Sequence, residues 1–325
     1  MLETFTYDEV PGLGSGIITF ESPLTIIAGP NGAGKSTLTK CIYRLLDGSS
    51  LSEIDDPRTN SGEVSLTGKL AGEDFERRYD LSKLTPLEDE SDRPVIYVDC
   101  GRHALKLQEE IRKFASIDEL INGVAAVDLG KIDLPAVSRI LRRDYRSVRL
   151  YEVELGETVP FFEVAYGQGA YTSATMGDGE LSALMLWWHF WRAPEGAVII
   201  LEEPEAFLSA GCQRTLSEYI LSMIVKKRLF CLVSSHSPGF IENVASDGLR
   251  FLARTNDGVV VMDGDPPPIL LKSVGIKFEI MAHAFVEDSA ASAFFTELAR
   301  TPQSQPLAQN RDQCVRRRRR GPHRP

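Results

Sequence analysis

Gly29-Pro30-Asn31-Gly32-Ala33-Gly34-Lys35-Ser36 satisfies the phosphate-loop pattern G-x-x-x-x-G-K-[ST]. It follows the apolar segment Leu24-Thr25-Ile26-Ile27-Ala28 and opens a stretch of helical periodicity. That setting is what the pattern needs. Glycines let the backbone turn its N–H groups toward a phosphate, and the new helix presents its positive N-terminus. Lys35 can reach the outer phosphate oxygens, and the Ser36 hydroxyl can hold Mg²⁺. With Thr37 next in line, residues 29–37 form the candidate nucleotide-binding loop; the bland alternative is a bare glycine-rich turn.

Outward from this loop, residues 2–28 read as short strands interrupted by Pro11-Gly12-Leu13-Gly14-Ser15-Gly16. Lys35 to Leu46 predicts a helix with Leu38, Cys41, Ile42 and Leu45 on one face. Residues 1–48 are therefore expected to be a lobe carrying the phosphate loop. The polar stretch 49–92, with alternation in Glu63-Val64-Ser65-Leu66-Thr67, reads as an insertion bearing a peripheral hairpin. Residues 93–166 begin with the apolar run Val95–Val98, continue with helical spacing from His103 to Arg143, and end in two strands, Ser147–Glu154 and Val159–Tyr166. The helical part is expected to form an arm, since apolar residues at that spacing usually mean helix packing.

Residues 167–278 hold three further features. Met176-Gly177-Asp178-Gly179-Glu180 precedes an apolar helix; Ala197–Leu201 is an apolar strand running into Glu202-Glu203-Pro204-Glu205; and Leu229–Val233 is a strand followed by Ser235-His236-Ser237-Pro238. Ligands of parallel α/β sheets bind at the C-terminal ends of the strands, where these polar groups fall. A solvated acidic loop and an ordinary structural histidine are the alternatives for Glu202–Glu205 and His236.

The chain of 325 residues is 43% hydrophobic and can bury a real core. Cys41, Cys100, Cys212, Cys231 and Cys314 are scattered without a C-x-x-C pair, which points away from a zinc site or disulfide framework and toward a reduced cytoplasm. No apolar run reaches the length of a membrane span. The net charge is −10, and the seven Arg and one Asp of residues 303–325 leave residues 1–302 at −16. A nucleic-acid partner would then need a local basic patch.

Phosphate loop, glycine-rich turn before a helix, strand ending in Glu-Glu and strand ending in His, in that order, resemble the ATP-binding cassette (ABC) ATPases. Glu202-Glu203-Pro204-Glu205 and Ser235-His236-Ser237-Pro238 look like the overcoming-lysogenization-defect (OLD) and RecF-like members, including those of retron- and Septu-type phage defence. The resemblance implies an α/β P-loop NTPase of ABC type with a mixed sheet, a β-hairpin insertion and a helical arm subdomain. It implies ATP and Mg²⁺ as cofactors and a homodimer or higher homo-oligomer closing around nucleotide. Glu202 takes the position of the metal-holding acid, with Ser36; Glu203 that of the base polarising water; His236 that of the switch histidine. Gly177, Asp178, Gly179 and Glu180 match the signature loop that faces a second protomer's nucleotide, although Gly177 replaces its serine and Asp178 adds a charge. Ala206-Phe207-Leu208-Ser209 takes the place of the dimer-contact loop. No glutamine-loop residue is assigned: Gln108 and Gln168 lie far from the end of the Val95–Val98 strand, and Arg102 is a weak substitute.

Residues 279–302, with Ala284-Phe285-Val286-Glu287-Asp288, resemble the first motif of a Toprim domain, truncated before its further acids, so nuclease activity is not expected from this chain. Residues 303–325 read as a disordered basic tail that could touch nucleic acid. Two functions fit: an ATPase serving DNA repair or antiviral defence, or a nucleotide-gated scaffold with slow turnover that assembles with a nuclease or retron partner.

Overall fold

Every residue of β3 (Leu24–Ala28), β11 (Val198–Glu202) and β12 (Phe230–Ser235) is buried, as happens when both faces of a parallel sheet are covered. In the computed structural model these strands form the centre of a six-stranded sheet. β13 (Leu249–Thr255) and then β14 (Gly258–Asp263) flank β3, and β6 (Val95–Asp99) flanks β11. Five strands are parallel and β14 runs antiparallel, so the sheet is mixed, as expected. The apolar run at β6 is only partly buried because it is the sheet edge. The structure describes residues 2–47, 60–70, 73–83, 94–255, 258–264 and 272–276. All but Ile276 belong to one unit ending at Gly275; the Toprim-like stretch with Glu287 and Asp288 and the basic tail lie outside the described residues.

The helix after the phosphate loop, α1 (Lys35–Asp47), buries Leu38, Cys41, Ile42 and Leu45, the predicted face. It packs between the mixed sheet and an antiparallel sheet of β2 (Gly14–Thr19), β1 (Leu2–Val10), β4 (Glu63–Leu70) and β5 (Glu73–Asp80). The hairpin expected as a peripheral insertion is therefore half of this sheet. β4 lies between β1 and β5, and Val64 and Leu66 join Phe5, Ile18 and Leu45 in one core cluster. The alternation Val64/Leu66 that announced a hairpin also gave it an apolar face, and that face had to be covered.

Residues 100–143 correct the expectation of an arm. They fold as α2 (Cys100–Ile111), α3 (Ile117–Leu120), β7 (Ala126–Asp128) and α4 (Asp133–Leu141). α2 packs on α5 (Asp178–Arg192), and α4 packs on α6 (Ala210–Lys227). The helical periodicity was real, but its apolar faces rest on the body. β7 joins β8 (Tyr145–Glu154), β9 (Thr158–Tyr166) and β10 (Gly169–Thr172) in a third sheet. That sheet is held to α5 by Phe162 against Trp187 (ring centroids 6.5 Å) and by Trp188 Nε1 donating to Glu152 Oε1 at 2.8 Å. The last carbonyls of α5 are capped from α6: Lys227 Nζ donates to Phe190, Trp191 and Ala193 oxygens at 2.6–2.9 Å, satisfying acceptors a helix end leaves open.

In the α2–α5 contact, the ring of His189 lies 6.2 Å from that of His103 and 4.8 Å from that of Trp188. Burial, reinforced by His103 and Arg192, lowers the His189 pKa to about 3. The unfolded chain accepts this proton near pH 6.5, whereas the fold resists it. Stability is therefore full above about pH 6.5 and falls with pH toward 3, by at most about 1.4 kcal/mol per unit. Urea unfolding of His189→Gln should show a shallower loss of stability between pH 6 and 4 than the parent chain; identical slopes would refute this account.

Candidate nucleotide site

The strand pairing brings the candidate groups to one level. Ser235 pairs with Ala28, Ser234 with Glu202, and Glu202 with Asp99. The phosphate loop, the Glu202–Glu205 turn and the Ser235–Ser237 turn thus leave the same end of the sheet side by side. This is where a parallel sheet binds its ligands.

In the loop, Asn31 and Gly32 are exposed, Pro30, Gly34 and Ser36 are partly buried, and Ala33 and Thr37 are buried. Two glycines are required by close approach: a Cβ on Gly29 would stand 2.5 Å from the Leu252 carbonyl oxygen, and one on Gly34, at φ +99°, 2.5 Å from Leu13 Cδ2. From β13, Arg254 donates to the oxygens of Gly32 (2.9 Å) and Gly12 (2.8 Å), tying the loop tip to the β1–β2 turn. Lys35 is buried and donates to its own loop, to Gly29 O at 2.9 Å and Pro30 O at 3.2 Å. Burial lowers its pKa, against the opposing pull of Glu203, Glu205 and Glu202.

Glu202 is buried and accepts from Thr39 Oγ1 at 2.5 Å. Thr39 lies one helical turn after Lys35, so the two share a face of α1; that i, i+4 spacing is the signal of Thr39 in the sequence. Burial and the Glu202 carboxylate push the Tyr97 phenol well above its usual range. Glu203 is about half exposed and adopts φ +47°, a left-handed conformation that costs a non-glycine residue about 1 kcal/mol. It is held there by its N–H to Ser234 O and by Ala206 N–H to its own carbonyl, both 2.9 Å. His236 Nδ1 lies 3.6 Å from Glu203 Oε1 and 3.4 Å from Glu205 Oε1.

The structure thus brings Lys35, Glu202, Glu203 and His236 together. A nucleotide with a divalent cation fits this donor set. A lysine that otherwise turns onto loop carbonyls, a helix N-terminus, and two buried polar atoms without partners among the described residues, Ser234 Oγ and Glu205 Oε2, all meet at this strand end.

The signature-like segment forms the start of α5, with Gly177 as an exposed N-cap. Glu180 turns inward: it is buried and accepts from Arg143 (2.7 Å), Tyr171 (2.6 Å) and Tyr145. Its carboxylate is therefore committed within the chain, unlike the ligand-facing role the resemblance implied. Gly179 faces its own chain as well, since a Cβ there would meet the Phe207 carbonyl oxygen at 2.3 Å. Gln108, set aside in the sequence, is buried and donates to Met176 O at 2.8 Å and Ser173 O at 3.4 Å, fastening the segment that leads into Gly177. Arg102, itself exposed, pairs with Asp99 at 3.5 Å.

Two family models match the sequence: "AAA domain" over residues 13–124, and "AAA domain, putative AbiEii toxin, Type IV TA system" over residues 84–242. Among curated proteins, the phosphonates import ATP-binding protein PhnC 2 of Synechococcus sp. (strain JA-2-3B'a(2-13)) is 28% identical over 268 residues, covering 79% of this chain and 81% of that protein. Among solved structures, the SmcHead bound to the C-winged helix domain of ScpA superposes with a TM-score of 0.54 at 13% identity, covering 81% of this chain and 98% of that one. The Smc head domain with an extended coiled coil, bound to the C-terminal domain of ScpA derived from Pyrococcus furiosus, gives 0.52 at 12% identity, with 81% and 96% covered. The structural likenesses speak to fold, an α/β fold with a mixed sheet similar to that of SMC head domains, and the family models to sequence similarity with AAA domains over residues 13–124 and 84–242.

Proposed function

We propose that this protein binds Mg-ATP at residues 29–37 and hydrolyses it. The observation that carries this reading is the convergence of Lys35, Glu202, Glu203 and His236 at the C-terminal end of β3, β11 and β12. In this reading Lys35 leaves the Gly29 and Pro30 carbonyls for phosphate oxygens, and the N-terminus of α1 adds its partial positive charge. Ser36 and Glu202 hold the cation, with Thr39 fixing the Glu202 carboxylate. Among the described residues no cluster of three or more His, Cys, Asp or Glu makes an all-protein metal cage, and the proposed site has no need of one, because Mg²⁺ takes much of its shell from phosphates and water. The cation would neutralise charge on the transferring phosphoryl group. Glu203, the more exposed carboxylate, accepts the proton of the attacking water, and His236 supplies a hydrogen bond where charge develops.

Two copies are proposed to close around nucleotide, in the service of DNA repair or antiviral defence. The family description that names a toxin–antitoxin system supports the defence side of that choice. The scaffold reading is favoured by one observation: Gly177, exposed at the α5 N-cap, offers no hydroxyl where signature loops carry serine. Turnover per chain that rises with protein concentration supports the dimeric ATPase; nucleotide-dependent partner capture without turnover supports the scaffold.

Lys35→Ala should abolish ATP binding in equilibrium dialysis. Glu203→Gln should bind ATP as tightly as the parent chain and lose at least about 100-fold in turnover; parent-like turnover in that variant would remove Glu203 from its role as base.

Gly179→Ala should lower thermal stability measurably, because the new methyl must displace the Phe207 carbonyl. Gly177→Ala, in open space, should be close to neutral in the same melting experiment. Equal effects at the two positions would show that the Gly179 contact does not govern the start of α5.

A further inference from the structure

Glu205 is as deeply buried as Glu202, yet its place in the turn gives it no obvious task. Burying a carboxylate is costly unless donors serve it, and its donors both come from another strand end. Glu205 Oε1 accepts from Ser235 Oγ at 2.8 Å and from the His236 N–H at 2.9 Å. The same oxygen is 3.4 Å from His236 Nδ1. Neither that ring nitrogen nor Glu205 Oε2 has a hydrogen-bond partner among the described residues. Each of these two neighbouring residues thus keeps one buried polar atom unpaired. The backbone keeps Glu205 in place: Leu208 N–H donates to its carbonyl at 3.0 Å, and Pro204 before it is buried. Ser235 is further fixed by accepting the Ser237 N–H at 3.0 Å.

We propose that Glu205 is a positioning residue for hydrolysis, clasping the turn after β11 to the end of β12 and setting both the ring orientation and the proton placement of His236. A proton on Nδ1 faces the Glu205 and Glu203 carboxylates, which leaves Nε2 as the ring atom for the nucleotide. Among the described residues, Glu203 and Glu205 are the carboxylates within 4 Å of His236 Nδ1. Of the two, Glu205 is the anchored one: it holds the histidine's own backbone N–H, whereas Glu203 is about half exposed and free to engage water. This proposal rests on the ATP-hydrolysis reading given above.

The test uses the full-length protein and Glu205→Gln, an isosteric change that keeps an oxygen for Ser235 and the His236 N–H but removes the charge. Turnover of Mg-ATP should fall about tenfold or more while KM stays within about twofold, since positioning acts on the chemical step. Ser235→Ala, which deletes one of the two donors, should give a smaller loss of the same kind. Long-range ¹H–¹⁵N NMR of the imidazoles, with the His236 signals identified by their absence in His236→Asn, should show a protonated Nδ1 in the parent chain and a changed pattern in Glu205→Gln. An unprotonated Nδ1 in the parent chain overturns the proposal, as does parent-like turnover in Glu205→Gln or a loss confined to KM. A parent chain without ATPase activity would defeat the hydrolysis reading, and the NMR measurement would still decide whether Glu205 governs the His236 ring.

Discussion

The site depends on the register of four parallel strands. Because Ala28, Ser235, Glu202 and Asp99 end at one level, three glutamates and a lysine are concentrated where the sheet stops being apolar. The strand interiors are largely apolar, and the charged groups collect at the tips. Charges in that position attract or repel strongly, because the surroundings screen them poorly. The lysine is the counterweight: burial drives its pKa down while Glu203, Glu205 and Glu202 pull it up. Removing the Lys35 charge would leave the carboxylates facing one another, so the loop and the acidic turn are electrostatically a single unit although 167 positions separate Lys35 from Glu202 in the sequence.

A second constraint acts on the turn itself. Glu203 takes a left-handed backbone, and Phe207 does so four residues later at φ +63°. Two such residues in a short turn persist only when neighbours over-determine them. Here the Glu203 N–H is claimed by β12, and the Phe207 carbonyl lies where Gly179 has no side chain. The half-exposed carboxylate of Glu203 is presented by this strained turn rather than by a relaxed loop. Presentation of that kind suits a group that must meet water at a fixed distance.

What the sequence disclosed, and what it withheld, follows the same physics. The phosphate loop, the apolar face of α1 and the buried strands β3, β11 and β12 were legible because local pattern and tertiary role coincide there: short, largely apolar runs bounded by turn residues admit few placements. The hairpin at residues 63–80 was legible as a hairpin, but its membership in a sheet was not, since pairing of β4 with β1 joins residues about 60 positions apart. The helices of residues 100–141 were legible as periodicity, but periodicity does not say what a face packs against. At the site, the residues that could contact nucleotide carried motifs. Thr39 and Gln108, which hold other groups in place, did not, because any side chain with the right hydrogen-bonding atom and length could serve at such positions, and Glu205 lay inside a motif that did not say what its carboxylate holds.

The start of α5 shows what those holding residues accomplish together. Met176 is fastened by Gln108 from α2, Glu180 by Arg143, Tyr145 and Tyr171 from the third sheet and its approaches, and Gly179 lies against the Phe207 carbonyl in the turn after β11. Three separate parts of the chain therefore meet at one helix N-terminus. α2 begins at Cys100, directly after Asp99, the strand-end partner of Glu202. A shift at the carboxylate turn thus has two short mechanical routes to Gly177, one through Phe207 and one along α2, and each consists of packed or hydrogen-bonded atoms rather than mobile loop. A helix start held this firmly moves with its supports or not at all. Those supports fix the place of the exposed Gly177 edge relative to the carboxylate turn.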